Sequence, residues 1–325
     1  MSKASTQRWN DRRAEKRRMA RLEREMGYVP TAGPSITAPI LPTGDMTAEE
    51  LIEWRVAKFE KKEKAEAARK LITVDIPVSG PFGVLHFGDP HVDDDGTDWR
   101  LLLRHIDVIK SSPAIFAANV GDTRNNWVGR LARLFGQQGT SAREARILAD
   151  HFLRKLEGKW AYIIGGNHDA WSGDDDPLEF ISSQIKALYE PSEARLALRQ
   201  PDNRTAVVVN ARHDFKGNSQ WNSAHAVAKA AQLGVRDDIL ICGHKHQSGY
   251  NVLKDPESGK LMHAIQVASY KIYDRFAKEQ GFKDQTISPC VFTVIDPDPR
   301  HPANRVQVFW DPEAGAAYLD MLRRR

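Results

Sequence analysis

The sequence predicts an α/β fold in which two packed mixed β-sheets are flanked by helices and preceded by an N-terminal helical arm. Three observations lead there. From residue 71 onward, short apolar strand patterns alternate with amphipathic helix patterns. Past about residue 190 the chain becomes rich in strands. Ahead of both lies a charged, helix-favouring segment, set off from the body by a stretch dense in proline and glycine.

The elements follow in order. Residues 1–26 are rich in Arg, Lys, Glu and Ala with few breakers, and read as a basic helical arm. Residues 27–46, with four prolines and three glycines from Gly27 to Asp45, read as an extended linker. Residues 47–70 read as a charged amphipathic helix opened by a Thr47/Glu50 capping box, with Leu51, Ile52, Trp54, Val56 and Phe59 as an apolar stripe suited to docking on the body. Residues 71–325 form the main domain. There LITVDIPV, FGVLHFGD, AIFAANVGD and WAYIIGGNHD read as strands, separated by helices over DWRLLLRHIDVIKSS and SAREARILADHFLRKLEG. A helix near residues 177–188 follows, and then ARLALR, TAVVVNARHD, DILICGHKH, HAIQVAS, CVFTVID and RVQVFWD as strands, interrupted by the helix AHAVAKAAQLG. No internal repeat is visible.

Composition narrows the function classes. With 41% hydrophobic and 28% charged residues, the 325-residue chain can build a sizeable core. No apolar run approaches the roughly 18 residues of a membrane span, and the N-terminus has no apolar segment of secretory-signal type. Cys242 and Cys290 have no CxxC partner, so a disulfide framework or zinc-thiolate site is not expected and a reducing cytoplasm fits. Residues 1–70 carry 16 Lys/Arg against 11 Asp/Glu, whereas residues 71–325 carry 31 against 32. The basic excess therefore belongs to the arm, which suits either nucleic-acid contact or a solvated helix.

The chemistry-bearing residues share one placement, each just after a strand. Asp89 and His91 stand in HFGDPHVDDDG, Asp122 in NVGDTRNN, Asn167 and His168 in IIGGNHDAW, His213 in VVVNARHD, and His244 and His246 in LICGHKHQSG. In α/β sheets, ligands gather outside the carboxyl ends of strands, where short loops converge. Gly88, Gly121, Gly165, Gly166 and Gly243 permit tight turns at these loops. Carboxylate, amide and imidazole together suit hard to borderline divalent cations. His86, His105, His151 and His301 read as core or surface residues, as do His225 and His263 near the motif loops. The run Asp93, Asp94, Asp95 reads as a solvated loop, and Asp174 to Asp176 as a cap for a helix starting near Pro177.

The ordered set GDPH, GDTRNN, GNHD, an isolated later His and GHKH resembles the calcineurin-like metallophosphoesterases, over about residues 82–270. Each motif alone is weak, but five in order, separated by 33, 45, 46 and 31 residues, are specific. The resemblance implies a four-layer αββα fold and a two-metal site, with Mn first and Fe, Zn, Ni or Mg as alternatives. It implies that Asp122 bridges the metals, that Asp89, His91 and His246 complete one position, and that Asn167, His213 and His244 complete the other. A water between the metals would be acidified enough to attack phosphorus. His168 matches the residue held near the leaving group. The overall texture also resembles members from bacteriophage and prophage genomes.

Two departures shape the functional expectation. Protein phosphatases of this family carry a second Asp three positions after the bridging Asp, followed by Arg; here those positions are Asn125 and Asn126. No carboxylate is therefore supplied there to orient His168, although Asp169 stands directly after it in the chain. The second departure lies between the second and third motifs, where Arg124, Arg130, Arg133, Arg143 and Arg146 accompany Trp127 and Phe135. Arg124 and Arg130 suit substrate phosphates, whereas Trp127, Leu131, Leu134 and Phe135 also fit an amphipathic helix pair burying its apolar face. The leading expectation is a phosphodiesterase or nuclease acting on DNA or RNA. The alternatives are a phosphomonoesterase or small-nucleotide phosphodiesterase, and a non-catalytic nucleic-acid-binding or assembly protein.

Overall fold

The computed structural model describes residues 14–18, 20–21, 45–170, 176–219, 221–234, 236–274, 278, 281 and 286–325. The basic arm and the linker lie largely outside these residues. The chain divides into two units, Met1–Lys58 and Phe59–Arg325. Helix α1 (Ala48–Arg69) runs from the first into the second and begins as the sequence indicates: the Thr47 N–H donates to Glu50 Oε2 at 2.7 Å and the Glu50 N–H to Thr47 Oγ1 at 3.2 Å. Its apolar stripe does not become buried. Leu51, Ile52, Trp54, Val56 and Phe59 are all exposed, Phe59 by 68%.

Among the described residues, the second unit holds twelve strands in two sheets of six. One has the order β12-β11-β2-β3-β4-β5, built from β2 (Phe82–Phe87), β3 (Ile115–Asn119), β4 (Trp160–Ile164), β5 (Tyr189–Glu190), β11 (Cys290–Ile295) and β12 (Val306–Phe309). The other has the order β1-β6-β7-β8-β10-β9, built from β1 (Ile72–Asp75), β6 (Glu193–Arg199), β7 (Thr205–Arg212), β8 (Ile239–Cys242), β9 (Gly249–Lys254) and β10 (Leu261–Gln266). Both are mixed: β2, β3 and β4 run parallel, as do β7 and β8, while β11 pairs antiparallel with β2 and β9 antiparallel with β10.

Alternation along the strands assigns each side chain to a layer. Val84 of β2, Tyr162 of β4, Val209 of β7 and Ile241 of β8 meet between the sheets. Leu85 and Phe87 point the other way, against helices α2 (Trp99–Lys110), α3 (Ala142–Lys155), α5 (Pro177–Gln184) and α7 (Pro312–Arg323). On the outer face of the second sheet, Leu240 and Cys242 pack on Ala226, Val227 and Ala231 of α6 (His225–Leu233). A single turn, α4 (Asn167–Ala170), follows β4. The result is four layers, αββα. Because helices cover β2 on one side and the partner sheet on the other, all six of its residues are buried, as expected of a central strand.

Local sequence sets the helix starts. Asp98, Asp176 and Asp311 accept backbone N–H groups at the heads of α2, α5 and α7, with Pro177 and Pro312 at first-turn positions that need no donor. Ser141 and Glu144 close a capping box on α3. The stretch read as a helix pair is instead a 3₁₀ helix over Gly129–Gln137, with Leu134 buried. No helix among the described residues is long and apolar enough to cross a membrane.

Candidate metal centre

The loops after β2, β3, β4, β7 and β8 meet at one edge of the sandwich, where the two sheets adjoin. Asp89 forms an isolated parallel bridge with Ser269, just beyond β10, so the first motif of one sheet is stitched to the other. The His213 Nδ1–H donates to the Val120 carbonyl at 3.0 Å, a second link across the same seam.

The loops hold unusual backbone. Among the described residues, seven non-glycine positions have positive φ, and His91 (40°), Asp122 (42°), Asn126 (40°), His244 (70°) and His246 (51°) are five of them. Each such residue costs about 1–2 kcal/mol against a right-handed alternative, strain of the kind found at functional sites. Close approach explains Gly243, where an added Cβ would overlap Asp89 Oδ1. At Gly121, with φ of +126°, an added Cβ would overlap His213 Nδ1.

The seven motif residues are brought together in clusters. Atoms of Asp89, His91 and His246 lie within 4.8 Å of one another, as do those of Asp122, His213 and His244. His91, Asp122 and His168 make a third such group, so Asp122 belongs to two. Its Oδ2 lies 3.2 Å from His213 Nε2, 4.0 Å from His91 Nε2 and 3.9 Å from His168 Nε2. Asn167 Oδ1 stands 2.9 Å from His213 Nε2, and His244 Nδ1 stands 3.1 Å from the same nitrogen. On the other side, His91 Nε2 and His246 Nε2 are 3.2 Å apart, and His246 Nε2 is 3.3 Å from Asp89 Oδ2. Asp89 Oδ1 and His91 Nδ1 are buried without a hydrogen-bond partner.

This donor set fits divalent cations. With its Nδ1–H committed to Val120, the Nε2 of neutral His213 is an acceptor, and it faces Asn167 Oδ1, Asp122 Oδ2 and His244 Nδ1. Lone pairs converge on one another, which is unfavourable unless cations or protons lie between them. The electrostatics say the same. Burial alone would lower His213, but Asp122 and Asp89 raise it to about 10. His246, likewise pulled down by burial, is carried up to about 9 by Asp274 and Asp89. For Asp122, burial is outweighed by His213, His168 and His91, which hold its carboxyl well below the usual range. His91 is pushed well down by burial and by the neighbouring imidazoles of His246 and His168.

Around the clustered residues sits a shell that the sequence did not disclose. Asp274 Oδ2 accepts from His246 Nδ1 at 3.1 Å, and Lys271, only 8% exposed, lies 3.4 Å from Asp274 Oδ1 and 3.0 Å from Asp94 Oδ2. The Asp93–Asp95 run is a solvated loop only at its far end: Asp95 is exposed, Asp94 is half-buried and Asp93 is buried. Asp93 is buried and accepts the Asn125 N–H at 2.7 Å, Asp94 contacts Lys271 and Asn125, and Asp95 accepts the Gly139 N–H. Asp169 is buried too, but it faces the loops: its Oδ2 accepts from the Thr123 and Gly166 N–H groups. Burial and the nearby Asp122 raise it to about 7. Arg124 is buried at 3% exposure and its charge acts on Asp169. The Arg130 side chain lies outside the described residues. His86, His105 and His263 are paired with Tyr162, Tyr270 and Tyr250 respectively, away from the ligand cluster.

No protein-family model matches the chain. Over 173 residues it is 26% identical to a hydroxylamine reductase of Chlorobaculum tepidum, a match covering 48% of this chain and 32% of that protein. The chain thus spans about a third of the length of that curated relative. Among solved structures, Vacuolar Protein Sorting 29 from Cryptosporidium parvum aligns with 71% of this chain and 97% of its own, at 13% identity and a TM-score of 0.38. The nuclease MPE of Pseudomonas putida aligns with 75% of this chain and 89% of its own, at 13% identity and a TM-score of 0.30. The NAD nucleotidase of Haemophilus influenzae aligns with 70% of this chain and 49% of its own, at 10% identity and a TM-score of 0.36.

Proposed function

We propose that this chain is a calcineurin-like metallophosphoesterase that hydrolyses phosphoester bonds with two divalent cations, and that its substrate is a phosphodiester of DNA or RNA. One observation carries the proposal: the Asp122 carboxylate belongs at once to the cluster with His213 and His244 and to the one with His91 and His168. Asp89, His91 and His246 would hold one cation, Asn167, His213 and His244 the other, with Asp122 shared. Bound there, the cations would supply charge neutralisation on phosphate and activation of water. The chain's own part is to fix the ligands and to manage a proton. His168 Nδ1 is engaged by the Asn125 carbonyl, so Nε2, which lies 3.9 Å from Asp122 Oδ2, is the nitrogen placed to pass a proton to a departing oxygen.

The nucleic-acid reading rests on charge. Residues 1–24 carry nine basic and three acidic residues ahead of a body of net charge −1. Manganese as the natural cation, a cytoplasmic setting and kinship with phage and prophage members belong to the same reading. The test is a manganese-supplemented assay of linear DNA, RNA, bis-p-nitrophenyl phosphate and p-nitrophenyl phosphate, with Asp122→Asn beside the wild type. Hydrolysis of the nucleic acids and the diester, lost in Asp122→Asn together with one of two bound cations, is expected. Activity on the monoester alone moves the assignment to a phosphomonoesterase. Folded, metal-loaded protein that cleaves none of the four is a binding protein.

A further inference from the structure

Resting on that reading, we infer that Asn126 and the main-chain carbonyl of Asn125 together are the positioning device for the His168 imidazole, taking the place of a carboxylate. Every handle on His168 is occupied. Its backbone N–H donates to Asp122 Oδ1 at 3.0 Å, and its backbone carbonyl accepts the Asn126 side-chain amide at 2.7 Å. Its ring Nδ1 meets the Asn125 carbonyl, and its ring face is closed by Trp127 at 5.0 Å and 76°. Asn126 acts twice: its left-handed backbone turns the preceding carbonyl toward the ring, and its amide grips the main chain that carries the ring. Asn is among the few residues that tolerate this conformation.

The carbonyl cannot swing away, because its own residue is anchored on three sides. The Asn125 N–H donates to Asp93 Oδ1, and its side-chain amide donates to Asp94 Oδ2 at 2.8 Å and Gln138 Oε1 at 2.9 Å. Gln138 in turn accepts the Trp127 indole N–H at 2.9 Å and donates to Asp93 Oδ2 at 3.0 Å. One buried network therefore fixes both the orienting carbonyl and the indole wall. A carbonyl accepts the Nδ1–H as a carboxylate would and selects the same tautomer, leaving Nε2 toward Asp122, but it brings no net charge into the site.

The test separates positioning from general support of the loop. With His168→Ala as reference, Asn126→Ala alone should lower hydrolysis of a dialkyl phosphodiester about 10- to 100-fold, the usual range for outer-shell partners. In the His168→Ala background it should remove nothing further, because a residue acting through His168 has nothing left to position. Losses that multiply in the double variant overturn the inference. A second readout needs no turnover. In protein labelled with ¹⁵N-histidine and loaded with zinc, the His168 Nδ1–H should give a slowly exchanging signal that Asn126→Ala abolishes. Asn126→Gly, which keeps the left-handed backbone but removes the amide, should leave the signal present but faster-exchanging than in the wild type; it also serves if the alanine variant fails to fold, a wild-type exchange rate there overturning the inference. A signal unchanged in Asn126→Ala overturns the inference as well. Should the wild type hydrolyse none of the phosphoesters, the functional reading fails, and the ring signal still decides whether the asparagines hold His168.

Discussion

His246 Nδ1 lies 3.1 Å from Asp274 Oδ2, and the opposite nitrogen of the same ring lies 3.3 Å from Asp89 Oδ2. The carboxylate of Asp274 holds the ring's donor side, so Nε2 is the side presented to the cluster. Lys271 Nζ contacts the other oxygen of that carboxylate, Asp274 Oδ1, at 3.4 Å. Asp274→Asn should therefore weaken cation binding at the Asp89–His91–His246 position by about 10- to 100-fold. Competition with a fluorescent chelator measures this, and unchanged affinity would remove Asp274 from the site.

His168 is placed 3.9 Å from Asp122 Oδ2 without being needed for either proposed cation position. His168→Ala should retain both cations yet lose roughly 10²–10⁴-fold in turnover, the usual contribution of general acid–base catalysis. Nitrophenyl esters, whose leaving groups need little protonation, should suffer less than alkyl esters. Equal losses on both would assign His168 a structural role.

The arm is tested by salt. If the nine basic residues of segment 1–24 contact phosphates, binding displaces condensed counterions and affinity must fall steeply with ionic strength. Deleting residues 1–26 should weaken DNA or RNA binding and flatten that dependence, while hydrolysis of bis-p-nitrophenyl phosphate hardly changes. Gel-shift titrations at several salt concentrations give the slopes. Equal slopes for the two proteins would exclude the arm from the nucleic-acid interface.

Acid should destabilise the fold through histidines away from the metal centre. Burial lowers His86 to about 3, and His105 and His263 each to about 4. Unfolded, each titrates near 6.5. Between those values the unfolded chain binds more protons, so the stabilising contribution is complete above about 6.5 and is lost as pH falls through the window. His213 and His246 in the candidate metal centre are shifted the other way, so the measurement compares wild type with His105→Phe under chelation. The variant's Tm should fall less between about pH 7 and pH 5. Parallel curves would show that His105 contributes nothing to the pH dependence.

Most of the architecture was legible because it rests on local patterns. Strands β2, β3 and β4 are mostly apolar runs with a Gly close behind each, and the Thr47/Glu50 box and Asp176–Pro177 announce helix starts. The seven motif residues could be found because short loops at strand ends leave Asp, Asn and His little freedom. What escaped has physical reasons. Strand β9 (Gly249–Lys254) is a half-exposed edge with few apolar residues, and β5 is only two residues long. Helix α7 has its start signal in Asp311–Pro312, but its short body, with Gly315 and few large apolar residues, gives only a weak helical period. Asp274 and Lys271 reach the site through the loop beyond β10, and no spacing rule links them to His246. The Asp93 run looked solvated because nothing in the chain shows that Asn125 and Gln138 close over it.

The Asp89–Ser269 bridge and the His213–Val120 hydrogen bond lie where the two sheets adjoin. Each proposed cation position takes ligands from both sides of that junction: Asp89 and His91 with His246, and Asn167 with His213 and His244. A cation seated there is a rivet through two plates, and its binding energy adds to the cohesion of the whole sandwich. Metal supply in the surrounding compartment would then govern how long the folded chain survives as well as how fast it works.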